Sequence, residues 1–134
     1  STKLKKNKTK ILGVTILTSL NGSQTKKYYN NQNVNQLVKK FALNAKKNNL
    51  DGIVCSPLEI TTVRKEVGNK MLIVVPGIRL EKKHPNKKDD QKRTLTPKEA
   101  ISLGADYLVI GRPIVESNNP LKTLKEINKS IINK

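Results

Sequence analysis

The chain has no tryptophan, and its aromatic side chains end at Tyr28, Tyr29, Phe41 and Tyr107. Proteins that hold single-stranded nucleic acid stack bases on aromatic platforms, so this scarcity argues against a specific nucleic-acid partner. Acidic residues are also few, 10 against 27 basic ones, for a formal net charge of +17. Such an excess attracts phosphate backbones. Yet only Arg64, Arg79, Arg93 and Arg112 carry guanidinium groups, and the lysines are scattered singly or in pairs. The composition fits loose, salt-sensitive attraction to polyanions rather than base readout. A lone cysteine, Cys55, excludes an intramolecular disulfide and suits a reducing cytoplasm. No His/Cys/carboxylate cluster has metal-ligand spacing, so no metal is implied. No stretch approaches the ~18 apolar residues of a membrane span. The basic start, Ser1-Thr2-Lys3-Leu4-Lys5-Lys6, lacks the apolar core of a signal peptide. A soluble, cytoplasmic protein without a membrane partner is the expectation.

What is present is an alternation of strand and helix signals. Four apolar runs have strand length and β-branched content: Ile11–Leu17, Gly52–Cys55, Met71–Val75 and Tyr107–Ile110. They are continuous, as in parallel strands buried on both faces. Between them, Val34, Leu37, Val38, Phe41, Ala42 and Ala45 fall along one face of a helix, and Leu121, Leu124, Ile127 and Ile131 repeat the stripe. Ser56-Pro57-Leu58-Glu59 and Thr96-Pro97-Lys98-Glu99 each read as a cap, a proline at the first helical position and a glutamate reaching back. Asn119-Pro120 opens the last helix similarly. Gly68 and Gly104 read as left-handed stops for helices over Pro57–Val67 and Pro97–Leu103. The order is β-α-β-α-β-α-β-α, with crossovers long enough for parallel pairing. Two polar segments, Thr18–Asn33 and Leu80–Leu95, read as irregular, and the second is long enough for a functional lid.

Val75-Pro76-Gly77-Ile78-Arg79 and Val109-Ile110-Gly111-Arg112-Pro113 carry the most chemical information. Each apolar run ends in a Gly and an Arg, so a buried strand gives way to a tight turn with a fixed positive charge. Two such ends side by side form an anion site of backbone N–H groups and guanidinium forks. A (β/α) barrel places its phosphate cradle in the loops after its last two strands. The expected fold is therefore α/β, a (β/α) barrel of the TIM type, here about four βα units. Residues 1–134 form a single domain, about half of the ~250 residues usual for a complete barrel.

With these motifs in place, the chain resembles the orotidine 5′-phosphate decarboxylase family, particularly its bacterial branch. The matching pieces run in order: Val14-Thr15-Ile16-Leu17-Thr18-Ser19, Leu50-Asp51-Gly52-Ile53-Val54-Cys55-Ser56, Val75–Arg79, Asp90-Gln91-Lys92-Arg93, Thr96-Pro97-Lys98-Glu99-Ala100 and Gly104–Pro113. The resemblance implies a cofactor-free enzyme family whose ligand is orotidine 5′-phosphate or UMP. It implies that Thr18 bonds the pyrimidine edge, that Arg79 contacts ligand near the phosphate, and that Gln91 links phosphate to the pyrimidine-side loop. It assigns Gly111 and Arg112 to the phosphate itself. Each residue also has a plainer reading: Thr18 as a turn hydroxyl, Arg79 as a rim salt bridge, Gln91 as solvent-facing, Arg112 as a surface partner of a carboxylate such as Glu116. His84 reads as a solvated loop residue, Cys55 as a small buried hydrophobe, and Asp51 and Asp106 as turn or cap residues.

The resemblance covers only the C-terminal half of the family barrel, with the first matched strand similar to the family's fifth. The family signature Asp-x-Lys-x-x-Asp has no counterpart; Asp90-Gln91-Lys92 fails because Leu95 stands where the second carboxylate belongs. In the family that array crowds the substrate carboxylate and delivers a proton to the ring carbon after carbon dioxide leaves. No catalytic residue is therefore assigned, and the expectation is a binding half that is inactive alone. The alternatives are a non-catalytic nucleotide-phosphate binding relic and a basic nucleic-acid binder. Half a barrel leaves two open edges and an uncovered apolar inner face. A homodimer, a separate N-terminal half or an open monomer are the possible outcomes, and closed symmetry favours self-association.

Overall fold

The computed structural model describes residues 9–16, 20–30, 33–80 and 94–132. Strands β1 (Leu12–Val14), β2 (Gly52–Val54), β3 (Leu72–Pro76) and β4 (Tyr107–Val109) pair in sequence order, each parallel to the next. The helices are α1 (Gly22–Tyr29), α2 (Val34–Lys47), α3 (Ile60–Val67), α4 (Pro97–Ser102), α5 (Arg112–Val115) and α6 (Pro120–Ile132). A 3-10 turn over Pro57–Glu59 precedes α3. Parallel strands in consecutive order with helical crossovers are successive βα units of a barrel. The expected four-unit α/β architecture is what forms.

Register sorts the two faces of the sheet. Gly13, Ile53 and Ile73 are paired across β1, β2 and β3, and Val75 is paired with Leu108. Ile53, Ile73 and Val75 are fully buried in one core with Val38 and Ala42 of α2 and Ile60 and Val63 of α3. Each such side chain contributes roughly 1.5–3 kcal/mol by leaving water. The alternate positions, Leu12 and Val14 on β1 and Tyr107 and Val109 on β4, form the opposite face. Val14, Tyr107 and Val109 are each more than half exposed. Both faces are apolar, as the continuous runs implied, but among the described residues only one is covered. Gly52 is set by close approach on the second face, where a Cβ would lie 2.7 Å from the Leu72 carbonyl oxygen.

The helix starts behave as their sequences dictate. Glu99 Oε2 accepts from the Thr96 N–H at 2.9 Å, and Thr96 Oγ1 accepts from the Glu99 N–H at 3.3 Å. Glu59 Oε2 accepts from the Ser56 N–H at 3.1 Å, and Asn119 Oδ1 caps α6 through the Lys122 N–H at 3.0 Å. Gly68 and Gly104 take the positive φ of helix stops, 75° and 108°. One segment read as irregular contains α1, capped by Asn21 through the Ser23 and Gln24 N–H groups, both at 3.1 Å. Of the C-terminal stripe, only Ile127 is buried.

The N-terminal ends of the strands are tied by two aspartates and an arginine. Asp51 Oδ2 accepts from the Ile11 N–H at 2.8 Å, and Asp106 Oδ2 accepts from the Ile73 N–H at 2.7 Å. These carboxylates act across strands, which local turn or cap roles do not describe. Arg64 of α3 donates to the carbonyls of Gly68 (2.7 Å), Met71 (2.8 Å) and Gly104 (2.6 Å), and to Asp106 Oδ2 at 2.6 Å. One guanidinium thus fixes the turns leading into β3 and β4, and with them the relative heights of those strands.

Candidate functional site at the C-terminal rim

Parallel pairing sends every strand's C-terminal end to one rim, where a (β/α) barrel carries its ligand site. Pro76 of β3 and Val109 of β4 are register partners. Arg79 lies three residues past the first and Arg112 three residues past the second. The two arginines therefore leave neighbouring strands at the same rim and from the same level.

The approach to Arg79 is built from Gly77, with φ of 77°, and Ile78, which is 1% exposed. Ile78 anchors the turn in the core, which holds Arg79 half-buried at its edge. The Arg79 N–H donates to the Leu95 carbonyl at 3.0 Å, so the chain returning toward α4 meets the end of β3 here. Arg79 Nη1 also donates to the Ile78 carbonyl at 3.2 Å.

Beyond β4, Gly111 caps the short helix α5, and its carbonyl accepts from the N–H groups of Ile114 (2.8 Å) and Val115 (3.2 Å). A Cβ on Gly111 would meet no atom of the described residues within 4 Å, so among them the space over this backbone is open. Arg112 follows as the first residue of α5 and is exposed. Among the described residues no ion pair joins it to Glu116. An exposed guanidinium beside an open glycine backbone can form paired hydrogen bonds to a phosphate or carboxylate.

The other predicted residues are distributed differently. Thr18 and Gln91 lie outside the described residues, as do His84 and the segment Asp90-Gln91-Lys92-Arg93. Cys55, just past β2, is 2% exposed. Burial first and Glu59 second push its thiol up to about 12, against a lowering influence of Arg64. It is an uncharged packing residue, inert as a nucleophile. Among the described residues no three His, Cys, Asp or Glu side chains cluster as metal ligands. No described helix is long and apolar enough to cross a membrane. A separate groove of about 650 Å3, lined by Lys10, Lys46 and Lys70 among others, lies at the opposite, N-terminal end of the strands. Sequence reading missed α5, because four residues are too few to show helical periodicity.

Comparison with known proteins agrees with this geometry. The model of the orotidine 5′-phosphate decarboxylase / HUMPS family matches residues 1–127. Orotidine 5′-phosphate decarboxylase of Coxiella burnetii (strain RSA 331 / Henzerling II) is 49% identical over 126 residues, covering 94% of this chain and 52% of the relative. The enzyme of that name from Wolbachia pipientis subsp. Culex pipiens (strain wPip) is 48% identical over 124 residues, covering 92% and 53%. Among solved structures, orotidine 5′-phosphate decarboxylase from Lactobacillus acidophilus superposes with a TM-score of 0.75 at 32% identity, over 92% of this chain and 49% of that one. The chain spans about half the length of the curated relatives it matches, consistent with a C-terminal half barrel.

Proposed function

The chain belongs to the orotidine 5′-phosphate decarboxylase / HUMPS family, and on that premise we propose that it is the phosphate- and pyrimidine-binding half of such an enzyme. Its ligand is orotidine 5′-phosphate or UMP. Arg112, the Gly111 backbone and Arg79 hold the phosphate; Thr18 and Gln91 address the pyrimidine side. The Lys–Asp array that drives decarboxylation lies outside these 134 residues, so the chain binds nucleotide without turning it over until a complementary half is supplied. That half is a second copy for closure of the barrel, or a separate N-terminal half for chemistry.

One observation carries the reading: the Pro76–Val109 register starts both arginine turns from one level of one rim. A phosphate monoester bears about −1.5 to −2 charges at neutral pH. Forked guanidinium donors meet its oxygens in pairs, each charge-assisted bond contributing about 1.5–3 kcal/mol. The test is calorimetric titration of the 134-residue chain with UMP and with ribose 5-phosphate, followed by an assay for carbon dioxide release from orotidine 5′-phosphate. Binding of UMP without turnover is expected. The substitution Arg112→Ala is expected to weaken UMP about 10- to 100-fold, from that same bond energy. Unchanged affinity would place the phosphate elsewhere, and turnover by this chain alone would overturn the division of labour.

A further inference from the structure

The end of β2 brings a hydroxyl to the rim that the two arginine turns share. The pairing of β2 with β3 runs on past Val54, since the Cys55 N–H donates to the Val74 carbonyl at 3.2 Å. Ser56 is still extended, with φ of −70° and ψ of 159°. Side chains alternate along extended backbone. Ile53 and Cys55 are buried in the core that the helices cover, which turns Val54 and Ser56 to the second face of the sheet. Val54 is in register with Val14 on β1 and Val74 on β3, and Val74 with Tyr107 on β4. Two residues on, Ser56 comes level with the Pro76–Val109 pair, from which both arginine turns start. Pro76 and Val109 are apolar, so Ser56 supplies a polar side chain at that level.

We propose that Ser56 is a further ligand contact, donating its hydroxyl proton to a carbonyl oxygen of the pyrimidine. The assignment rests on the nucleotide reading above and deepens it. In that reading the phosphate sits over the ends of β3 and β4, and the pyrimidine is addressed by Thr18, which follows β1 in sequence. β2 lies between β1 and β3 in the sheet, so a ligand that spans those sites crosses Ser56. Ser56 also forms a capping box with Glu59 ahead of α3. A hydroxyl can accept a capping bond and still donate its own proton, so the local role leaves the second one open. An uncharged donor adds little to the attraction for phosphate, and its contribution falls on the choice of base.

Calorimetric titration of the wild-type chain, Ser56→Gly and Ser56→Ala with UMP and with ribose 5-phosphate tests it. Glycine is a far better N-cap than alanine, so the two variants separate the hydroxyl from the cap. Both are expected to bind UMP about 3- to 10-fold more weakly, the range of one uncharged hydrogen bond, with ribose 5-phosphate affinity unchanged. The urea midpoint should fall further for Ser56→Ala than for Ser56→Gly. Full UMP affinity in Ser56→Gly overturns the proposal, since a loss confined to alanine would make the serine a cap and nothing more. Equal weakening of both ligands overturns it as well, because the hydroxyl would then serve the ribose phosphate they share. A wild-type chain that binds both ligands equally has no pyrimidine contact, which sinks this inference and leaves the phosphate rim standing. A wild-type chain that binds neither sinks the nucleotide reading itself, and the Ser56 assignment falls with it.

Discussion

Two arginines lie toward opposite ends of the strands, Arg64 beside the starts of β3 and β4 and Arg112 past the end of β4. Arg64 spends its donors on the carbonyls of Gly68, Met71 and Gly104 and on Asp106. Removing it leaves three carbonyls and a carboxylate short of donors near the start of β3 and β4. Arg64→Ala should therefore lower unfolding free energy by roughly 2–4 kcal/mol, measured by urea denaturation. Lysine should not restore it, because a point charge cannot reproduce the planar fork. Arg112→Ala should show the reverse pattern, with stability moved by no more than about 0.5 kcal/mol and UMP affinity weakened about 10- to 100-fold. Equal destabilisation by both would mean that Arg112 is structural. Cys55 supplies a third residue-level expectation. Its folded thiol is pushed from 9.0 to about 12, so the proton is held more tightly folded than unfolded. The stability this represents is present below about pH 8.5–9, the unfolded range, and drains away as pH rises toward 12. At pH 9 iodoacetamide should modify Cys55 slowly in the native chain and rapidly in urea. Comparable rates in both would show that the thiol is not held in the core.

At the scale of elements, legibility in the sequence tracked whether a signal is completed locally or by packing. The Ser56–Glu59 and Thr96–Glu99 starts and the Gly68 and Gly104 stops were readable because capping is local chemistry, completed within four residues. Asn21 and Gln24 carry the same reciprocal signal, with Gln24 Oε1 accepting from the Asn21 N–H at 2.9 Å. That pattern could have revealed α1 inside the segment read as irregular. The helix is polar enough that hydrophobic periodicity alone hid it. The α2 stripe was readable and is largely buried because α3 and the sheet lie against it, whereas the equally readable α6 stripe is, among the described residues, buried only at Ile127. Periodicity reports the face a helix can bury, and says nothing about what lies against it. The rim arginines were legible as a pair, but their shared level follows from the Pro76–Val109 register, which a list of motifs does not contain. The cap at Thr96 gives the prediction for this scale. It starts α4 one residue after Leu95, whose carbonyl holds the Arg79 N–H. Thr96→Ala should cost about 1 kcal/mol and speed hydrogen exchange of the Arg79 amide relative to amides in β3. Unchanged exchange at Arg79 would separate the cap from the rim.

At the scale of the whole molecule, charge bears on the proposed phosphate rim in a way that salt exposes. The chain carries a formal +17, and added ions screen its attraction for an anion. The screening length falls from about 10 Å at 0.1 M to about 3 Å at 1 M. Capture of UMP by the guanidinium groups of Arg79 and Arg112 should therefore weaken as sodium chloride rises from about 0.05 M to about 0.5 M, read as the UMP dissociation constant over one salt series. Arg112→Ala removes one of the charges nearest the proposed phosphate, so it should bind more weakly and with a shallower slope. A dissociation constant that tightens with salt would mean that UMP is held by apolar contact, and that the arginine rim is not its anchor.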